Sequence, residues 1–329
     1  MTESNPTVTK AQLNFIVLLK FAACLLIINS HCREIYPYFF LAVGGGHGNA
    51  LFFIISGYCL ANIKPGFLDW YLKRVRRIIP AALLMMTVGL ALNYGAGIVD
   101  SRQSGLQFVA DRYWFIWAIM IYYVLFYWVV KNSQIKRLLI FLLIYFTGYV
   151  LLYTFCIDKS QFCMEPEGFS WFKVYFYFGI MLTGGILKKI GQPEMKPETI
   201  RKKLFLPLVI LIMIAGITWA AEYWMIFIKG TGYGIQFFIH LSVYVFTVSV
   251  FLLFLSCENL IDPNNAFFRK CVTPVAQSTL EIYLVQVSLI FIVLGFAFPV
   301  NWLMFVLISI GGGLLLHKAV SKIPLTGSR

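Results

Sequence analysis

The sequence predicts an all-α integral membrane protein, a bundle of about ten transmembrane helices. Three properties of the 329-residue chain predict this class: 60% of its residues are hydrophobic, only 12% are charged, and its mean hydropathy is +0.80. An ordinary soluble domain carries about 25% charged residues. Since one span needs about 20 apolar residues, the chain has room for roughly ten spans joined by short loops.

The individual spans follow from continuous apolar runs. These runs lie at about 13–31, 49–63, 78–95, 113–130, 138–155, 171–187, 204–222, 235–257, 278–297 and 301–317. The second run is short and contains Ser56 and Gly57, which is tolerated where a helix is buried among other helices. The longest loop, from Lys188 to Lys203, is a polar linker. We therefore expect residues 1–329 to form a single polytopic domain, with no soluble domain.

The basic residues predict how the chain is oriented. The net charge is +13, but the cations are scattered among loops between apolar runs, so we expect no nucleic-acid partner. Cytoplasmic loops of membrane proteins carry an excess of lysine and arginine. With the N-terminus inside, only six of the 27 lysines and arginines fall in outer segments: Arg33, Arg102, Arg112, Lys159, Lys173 and Lys229. We expect a multi-pass protein in the lipid bilayer of the inner (cytoplasmic) membrane, with both termini in the cytoplasm.

The seven cysteines show no spacing typical of a metal site, and we expect no metal. Cys156 and Cys163 share one loop and could pair if that loop faces an oxidising compartment.

Lys20 interrupts the first apolar run, so we expect this run to remain as a span rather than to act as a cleaved signal.

Ionisable side chains within the spans are costly in lipid and are candidates for function. They are Lys20, His31, Glu222, His240 and Glu281. Lys20 and His31 are separated on their helix by about three full turns plus 20°. Their side chains therefore lie along one stripe of the helix surface, about 16 Å apart. An imidazole can take a proton from a hydroxyl near neutral pH. Alternatively, Lys20 snorkels towards the inner surface and His31 is an interfacial residue.

Three further features indicate ligand contacts, each with a structural alternative. His47 lies in a glycine-rich segment, 44–49, where a ligand can approach the backbone closely, although a flexible turn also explains it. The arginines of the basic segment 73–77 can bind phosphates, or they can anchor the membrane surface. Glu281 needs a partner inside the bundle, and Lys20 is one candidate. Trp114 and Trp117 are expected to be interfacial aromatics.

Four short motifs occur in order along most of the chain. A basic residue, ten further residues and a histidine correspond to Lys20 and His31. An FFxxSG motif covers 52–57, and an RxxR-hydrophobic-x-Pro motif covers 74–80. A late S-x-x-x-x-YL-x-H motif covers 278–286. In these motifs and in its apolar runs, the chain resembles the acyltransferase 3 family of membrane-bound acyltransferases.

This resemblance implies an O-acyltransferase that moves an acyl group, usually acetyl from acetyl-coenzyme A, onto a sugar hydroxyl of a surface glycan or glycolipid. It implies that His31 is the catalytic histidine and that Arg74 and Arg77 lie near the coenzyme A phosphates on the cytoplasmic side. We further expect the pantetheine arm to pass Lys20. The candidate substrate contacts are His47, Ser56, Glu281, Tyr283 and Gln286.

The sequence departs from the family pattern at two positions. Lys20 stands where arginine is common, which keeps the charge but loses the two-point geometry of a guanidinium. Gln286 stands where histidine is frequent, and an amide cannot act as a base at neutral pH, so catalysis would depend more on His31. Two other classes of function stay open: a transporter or flippase for a lipid-linked sugar or small anion, and an inactive scaffold for glycan assembly. The acceptor sugar and the oligomeric state also stay open.

Overall fold

The computed structural model describes residues 13–95, 111–164, 170–191 and 196–322. Over these residues the protein is all-helical. Its α-helices are α1 (Asn14–Ser30), α2 (Gly45–Leu60), α3 (Phe67–Gly95), α4 (Trp114–Val130), α5 (Ile135–Cys156), α6 (Trp171–Ile190), α7 (Pro197–Tyr223), α8 (Phe237–Ser256), α9 (Thr273–Gln277), α10 (Thr279–Leu289) and α11 (Val300–Val320).

Six segments of the described chain are long and apolar enough to cross a membrane. They are Phe39–Leu60, Phe67–Leu92, Ile135–Cys156, Pro197–Ile228, Phe237–Ser256 and Val300–Val320. Helices α1, α4 and α10 are apolar but shorter. The protein is thus a multi-pass helical membrane protein, while the number of about ten spans and the cytoplasmic termini stay predictions.

The outer surface of the bundle is apolar, as lipid requires. Helices α5 and α7 expose large apolar side chains, including Leu143, Ile144, Leu206 and Ile217. A soluble protein of this size would cover such helices with polar residues. These two helices therefore form part of the lipid-facing wall.

Helix α2 lies at the centre of the bundle and contacts α1, α6 and α8. Its contact with α6 is backbone against backbone. A Cβ atom added to Gly57 would lie 1.8 Å from the carbonyl oxygen of Met181, and one added to Gly184 would lie 2.0 Å from that of Ile54. Small residues permit this approach. The glycine of the FFxxSG motif therefore fixes how closely α2 and α6 pack.

The structure differs from the sequence-based boundaries in two places. The basic segment does not precede the third span as a loop, because α3 already begins at Phe67 and continues through Pro80. The linker from 188 to 203 is shorter than expected, since Lys188 and Lys189 belong to the last turn of α6 and α7 begins at Pro197. Both basic segments thus extend membrane helices.

Cys156 is the last residue of α5 and Cys163 lies in the loop that follows; both are free thiols in the structure. The sulfur of Cys163 lies 3.3 Å from the carbonyl oxygen of Asp158.

Candidate functional site

Two cavities inside the bundle share part of their lining. The histidine cavity has a volume of about 640 Å³ and is lined by His31, Trp114, Lys173 and Trp219, among others. The arginine cavity has a volume of about 240 Å³ and is lined by Lys20, Ser56 and Arg77, among others. Both cavities are lined by Ile27, Asn49 and Tyr283, which we call the neck. The neck residues thus lie between the cavity that contains His31 and the cavity that contains Arg77.

His31 caps the C-terminus of α1 and lines the histidine cavity. Its Nδ1 lies 2.8 Å from the carbonyl oxygen of Ile27. A carbonyl oxygen can only accept a hydrogen bond, so Nδ1 must carry the proton, and Nε2 of the neutral ring keeps its lone pair. The ring also meets Tyr283 edge-on, with centroids 6.5 Å apart. The imidazole is therefore held in the tautomer that can accept a proton at Nε2.

Aromatic rings form two walls of the histidine cavity. Trp114 stacks on Tyr177 with ring centroids 5.9 Å apart, and the ammonium of Lys173 lies 4.2 Å from the centre of its indole. Trp219 and Tyr223 also line the cavity and stack at 5.1 Å. Flat aromatic faces suit a ligand with an extended apolar face.

Two of these lining residues were not expected from the sequence. The charge count assigns Lys173 to an outer segment, whereas the structure places it in the first turn of α6 with its side chain only 3% exposed. Trp114 was expected at the membrane interface and instead lines the cavity, whereas Trp117 lies on the exposed surface. The signal for Lys173 was its position between Phe172 and Val174, inside an aromatic run.

Lys20 and Ser56 line the arginine cavity from α1 and α2. Among the described residues, the ammonium of Lys20 makes no ion pair or hydrogen bond. The stripe that the sequence predicted is thus present: Lys20 lines one cavity, His31 lines the other, and Ile27 lies between them at the neck. A cation inside a membrane bundle that has no partner among the described residues is suited to an anionic or strongly polar ligand.

Arg77 lines the arginine cavity and is fixed by Glu281. The two guanidinium nitrogens lie 2.6 and 3.3 Å from the two carboxylate oxygens. Nδ1 of His317, on α11, lies 3.2 Å from the same oxygen that makes the shorter contact. Glu281 is fully buried, whereas 42% of the Arg77 side chain is exposed. Lys20 is therefore not the partner of Glu281; Arg77 is.

Arg74 lies one helical turn before Arg77 and makes different contacts. Its guanidinium lies over the indole of Trp70, 4.1 Å from the ring centre, and donates a hydrogen bond of 2.6 Å to the Trp70 carbonyl. Arg74 does not line the arginine cavity. The two arginines of the motif thus have different surroundings, and only Arg77 contributes to the cavity wall.

The remaining candidate residues have three different surroundings. Tyr283 belongs to the neck, and its hydroxyl donates to the carbonyl of Arg112 at 3.2 Å. His47 is buried in the first turn of α2 against Trp219 and Phe246, outside the set of residues that line the cavities. Gln286 is buried and lines neither cavity.

Oε1 of Gln286 has no hydrogen-bond partner among the described residues. The described part of the chain contains no group of three or more histidine, cysteine or acidic residues that could hold a metal ion.

The fold and the cavities define a polytopic helical membrane protein with two internal cavities that share part of their lining. Residues 13–316 match the family model described as an acyltransferase domain. The match covers nearly the whole chain, and the chain belongs to the acyltransferase 3 family. Searches of the curated proteins and of the solved structures find no match.

Proposed function

We propose that this membrane acyltransferase is an O-acetyltransferase. It moves acetyl from cytoplasmic acetyl-coenzyme A to a sugar hydroxyl of a surface polysaccharide or lipid-linked precursor, within a single polytopic domain of the inner membrane. The observation that carries the proposal is that His31 and Arg77 line two cavities that share one neck.

The donor enters by the arginine cavity. At about 240 Å³, this cavity is smaller than a typical ligand pocket of about 300–1,000 Å³, so it suits a narrow arm rather than a nucleotide. The phosphates stay at the half-exposed guanidinium of Arg77, with Arg74 as a flanking cation. The pantetheine arm passes Lys20 and Ser56, and the thioester reaches the neck.

The acceptor occupies the histidine cavity. Its volume of about 640 Å³ falls in the range of small-molecule sites. A sugar ring presents C–H groups on one face, which pack on aromatic rings such as Trp114 and Trp219. Its hydroxyls face the polar lining, including His31. Holding donor and acceptor on either side of one neck brings the reacting atoms together.

The chemistry is a direct transfer that His31 assists as base and then as acid. Nε2 takes the proton of the acceptor hydroxyl while the hydroxyl oxygen attacks the thioester carbonyl carbon and forms the new C–O bond. The carbonyl electron pair moves to oxygen and gives a tetrahedral oxyanion. When the oxyanion collapses, the C–S bond breaks and the thiolate takes the proton from His31. The products are the acetyl ester and coenzyme A, and the imidazole returns to its neutral form.

A transporter or flippase for a lipid-linked sugar or small anion is the second candidate. Two internal cavities with shared lining residues would also suit a substrate path across the membrane. Lys20, which has no partner among the described residues, would suit an anion on that path. Reconstituted vesicles distinguish the two functions. Uptake of a lipid-linked sugar without acyl transfer would favour the transporter, whereas consumption of acetyl-coenzyme A that depends on the acceptor favours the enzyme.

The experiment that tests the enzyme is substitution of His31 with glutamine. Glutamine keeps an N–H donor for the Ile27 carbonyl but cannot take a proton at neutral pH. We expect His31→Gln protein to reach the membrane at the normal level and to lose about 10²–10⁴-fold in acetyl transfer. Mass analysis of the host glycan measures the product. A normally acetylated glycan in this variant would remove His31 from the mechanism.

A further inference from the structure

Asn49 lies at the neck with an unused side-chain amide. It lines both the histidine cavity and the arginine cavity. Its side chain makes no hydrogen bond to any other described residue. An asparagine amide has two N–H donors and a carbonyl acceptor. Asn49 therefore presents free donors at the level where the two cavities meet.

The packing of α2 on α1 fixes this position. A Cβ atom on Gly48 would lie 2.6 Å from Cγ1 of Ile27 and 2.9 Å from the carbonyl oxygen of Ala23. Gly48 thus lets the first turn of α2 lie directly on α1, beside Ile27. The carbonyl of Ile27 in turn holds Nδ1 of His31. The residue after Gly48 and the catalytic imidazole are consequently positioned by the same turn of α1.

The other two neck residues offer no comparable donor. The side chain of Ile27 is apolar. The hydroxyl proton of Tyr283 is directed at the carbonyl of Arg112. Asn49 is thus the neck residue whose N–H groups are not already used. If acetyl-coenzyme A and the acceptor enter from opposite cavities, the thioester carbonyl has to reach the neck.

We propose that the side-chain amide of Asn49 donates a hydrogen bond to the oxyanion that forms on the thioester carbonyl during transfer. This inference rests on the proposed function and adds a second catalytic residue to it. His31 removes the proton from the acceptor, and Asn49 stabilises the negative charge that moves to the carbonyl oxygen. Donors fixed before the reaction stabilise the transition state more than the ground state, so they act on kcat rather than on KM.

The test compares Asn49→Ala with Asn49→Ser in acetyl transfer by the purified full chain, with acetyl-coenzyme A as the probe. Loss of one oxyanion donor typically lowers kcat by about 10²–10³-fold. We expect this loss for Asn49→Ala, with KM for acetyl-coenzyme A within about threefold of the wild type. Asn49→Ser, which restores a hydroxyl donor, should be at least about tenfold faster than Asn49→Ala. Asn62→Ala, at an exposed residue after α2, is the matched control and should be unchanged.

Several results would overturn the inference. These are an increase in KM without loss of kcat, equal rates for the alanine and serine variants, or normal activity of Asn49→Ala. If the small residues prevent folding, Asn49→Asp keeps the shape without the N–H donors and should show the same loss of kcat. Failure of all three variants to reach the membrane would assign Asn49 a structural role instead.

The proposed function and this inference fail differently. A wild-type protein that transfers no acetyl group overturns both. A wild-type protein that is active alongside an equally active Asn49→Ala variant overturns only the role of Asn49 and leaves the proposed function in place.

Discussion

Arg77 and Glu281 form a two-point ion pair between α3 and α10, although they are 204 residues apart in the sequence. The carboxylate is fully buried, and the guanidinium extends from it to the wall of the arginine cavity. A guanidinium held at two points has one orientation. Glu281 therefore positions Arg77, which is the residue that we assign to the donor phosphates.

Removing either partner should destabilise the protein, but to different extents. Arg77→Met leaves the buried Glu281 carboxylate without its main cation and should cost about 3–5 kcal/mol. Glu281→Gln leaves a half-exposed guanidinium that water can solvate, and should cost only about 1–2 kcal/mol. Thermal unfolding in detergent measures which of the two variants loses more stability. A larger loss for Glu281→Gln would contradict this account of the pair.

The three arginines of the basic segment should contribute unequally to donor binding. Arg77→Ala removes the cation that lines the cavity and should raise KM for acetyl-coenzyme A by about 10–100-fold. Arg74→Ala should have a smaller effect, because its guanidinium packs on Trp70 outside the cavity. Arg76 is exposed, and Arg76→Ala is the matched control. Equal effects of all three substitutions would indicate a general surface charge rather than a built site.

Lys20 should act through its charge. Lys20→Met keeps most of the side-chain volume and removes the cation from the arginine cavity, so we expect weaker binding of acetyl-coenzyme A with little change in stability. Lys20→Arg keeps the charge and should bind the donor nearly as well as the wild type. Protection of the protein from heat by acetyl-coenzyme A reports this binding without turnover. Equal protection of the methionine variant and the wild type would show that Lys20 does not contact the donor.

Gly57 should be far less tolerant of a side chain than other helical glycines. Gly57→Ala places a methyl group 1.8 Å from the Met181 carbonyl and forces α2 and α6 apart, which should cost about 3 kcal/mol or more. A Cβ added to Gly216, in α7, would have no atom of another described segment within 4 Å. Gly216→Ala should be neutral or stabilise the protein by up to about 1 kcal/mol. Similar unfolding temperatures for the two variants would contradict the close packing described for α2.

Local patterns along the chain predicted the helical class and part of the site. Continuous apolar runs identify membrane helices because every backbone polar group in lipid must be satisfied within its own helix. The spacing of Lys20 and His31 predicted one stripe, and both residues line the cavities. The start of α3 was predicted less well. The basic segment before the apolar run continues the helix although it is not apolar, so hydropathy alone does not detect it.

Contacts between distant segments could not be predicted in the same way. The partner of Glu281 depends on how α3 and α10 pack, and no local pattern distinguishes Arg77 from Lys20. The burial of Lys173 and the position of Asn49 likewise depend on where α6 and α2 lie in the bundle. The packing glycines at 48 and 57 were visible as residues, but their neighbours were not.

The most direct test of the account is a structure of the full-length protein with a non-hydrolysable acetyl-coenzyme A analogue. We predict that its phosphates contact Arg77, that its arm lies in the arginine cavity, and that its acyl carbonyl lies at the neck beside Asn49. The carbonyl carbon should then be close enough to Nε2 of His31 for an acceptor hydroxyl to bridge them. An analogue whose acyl group lies outside the neck, or whose arm enters through the histidine cavity, would contradict the account.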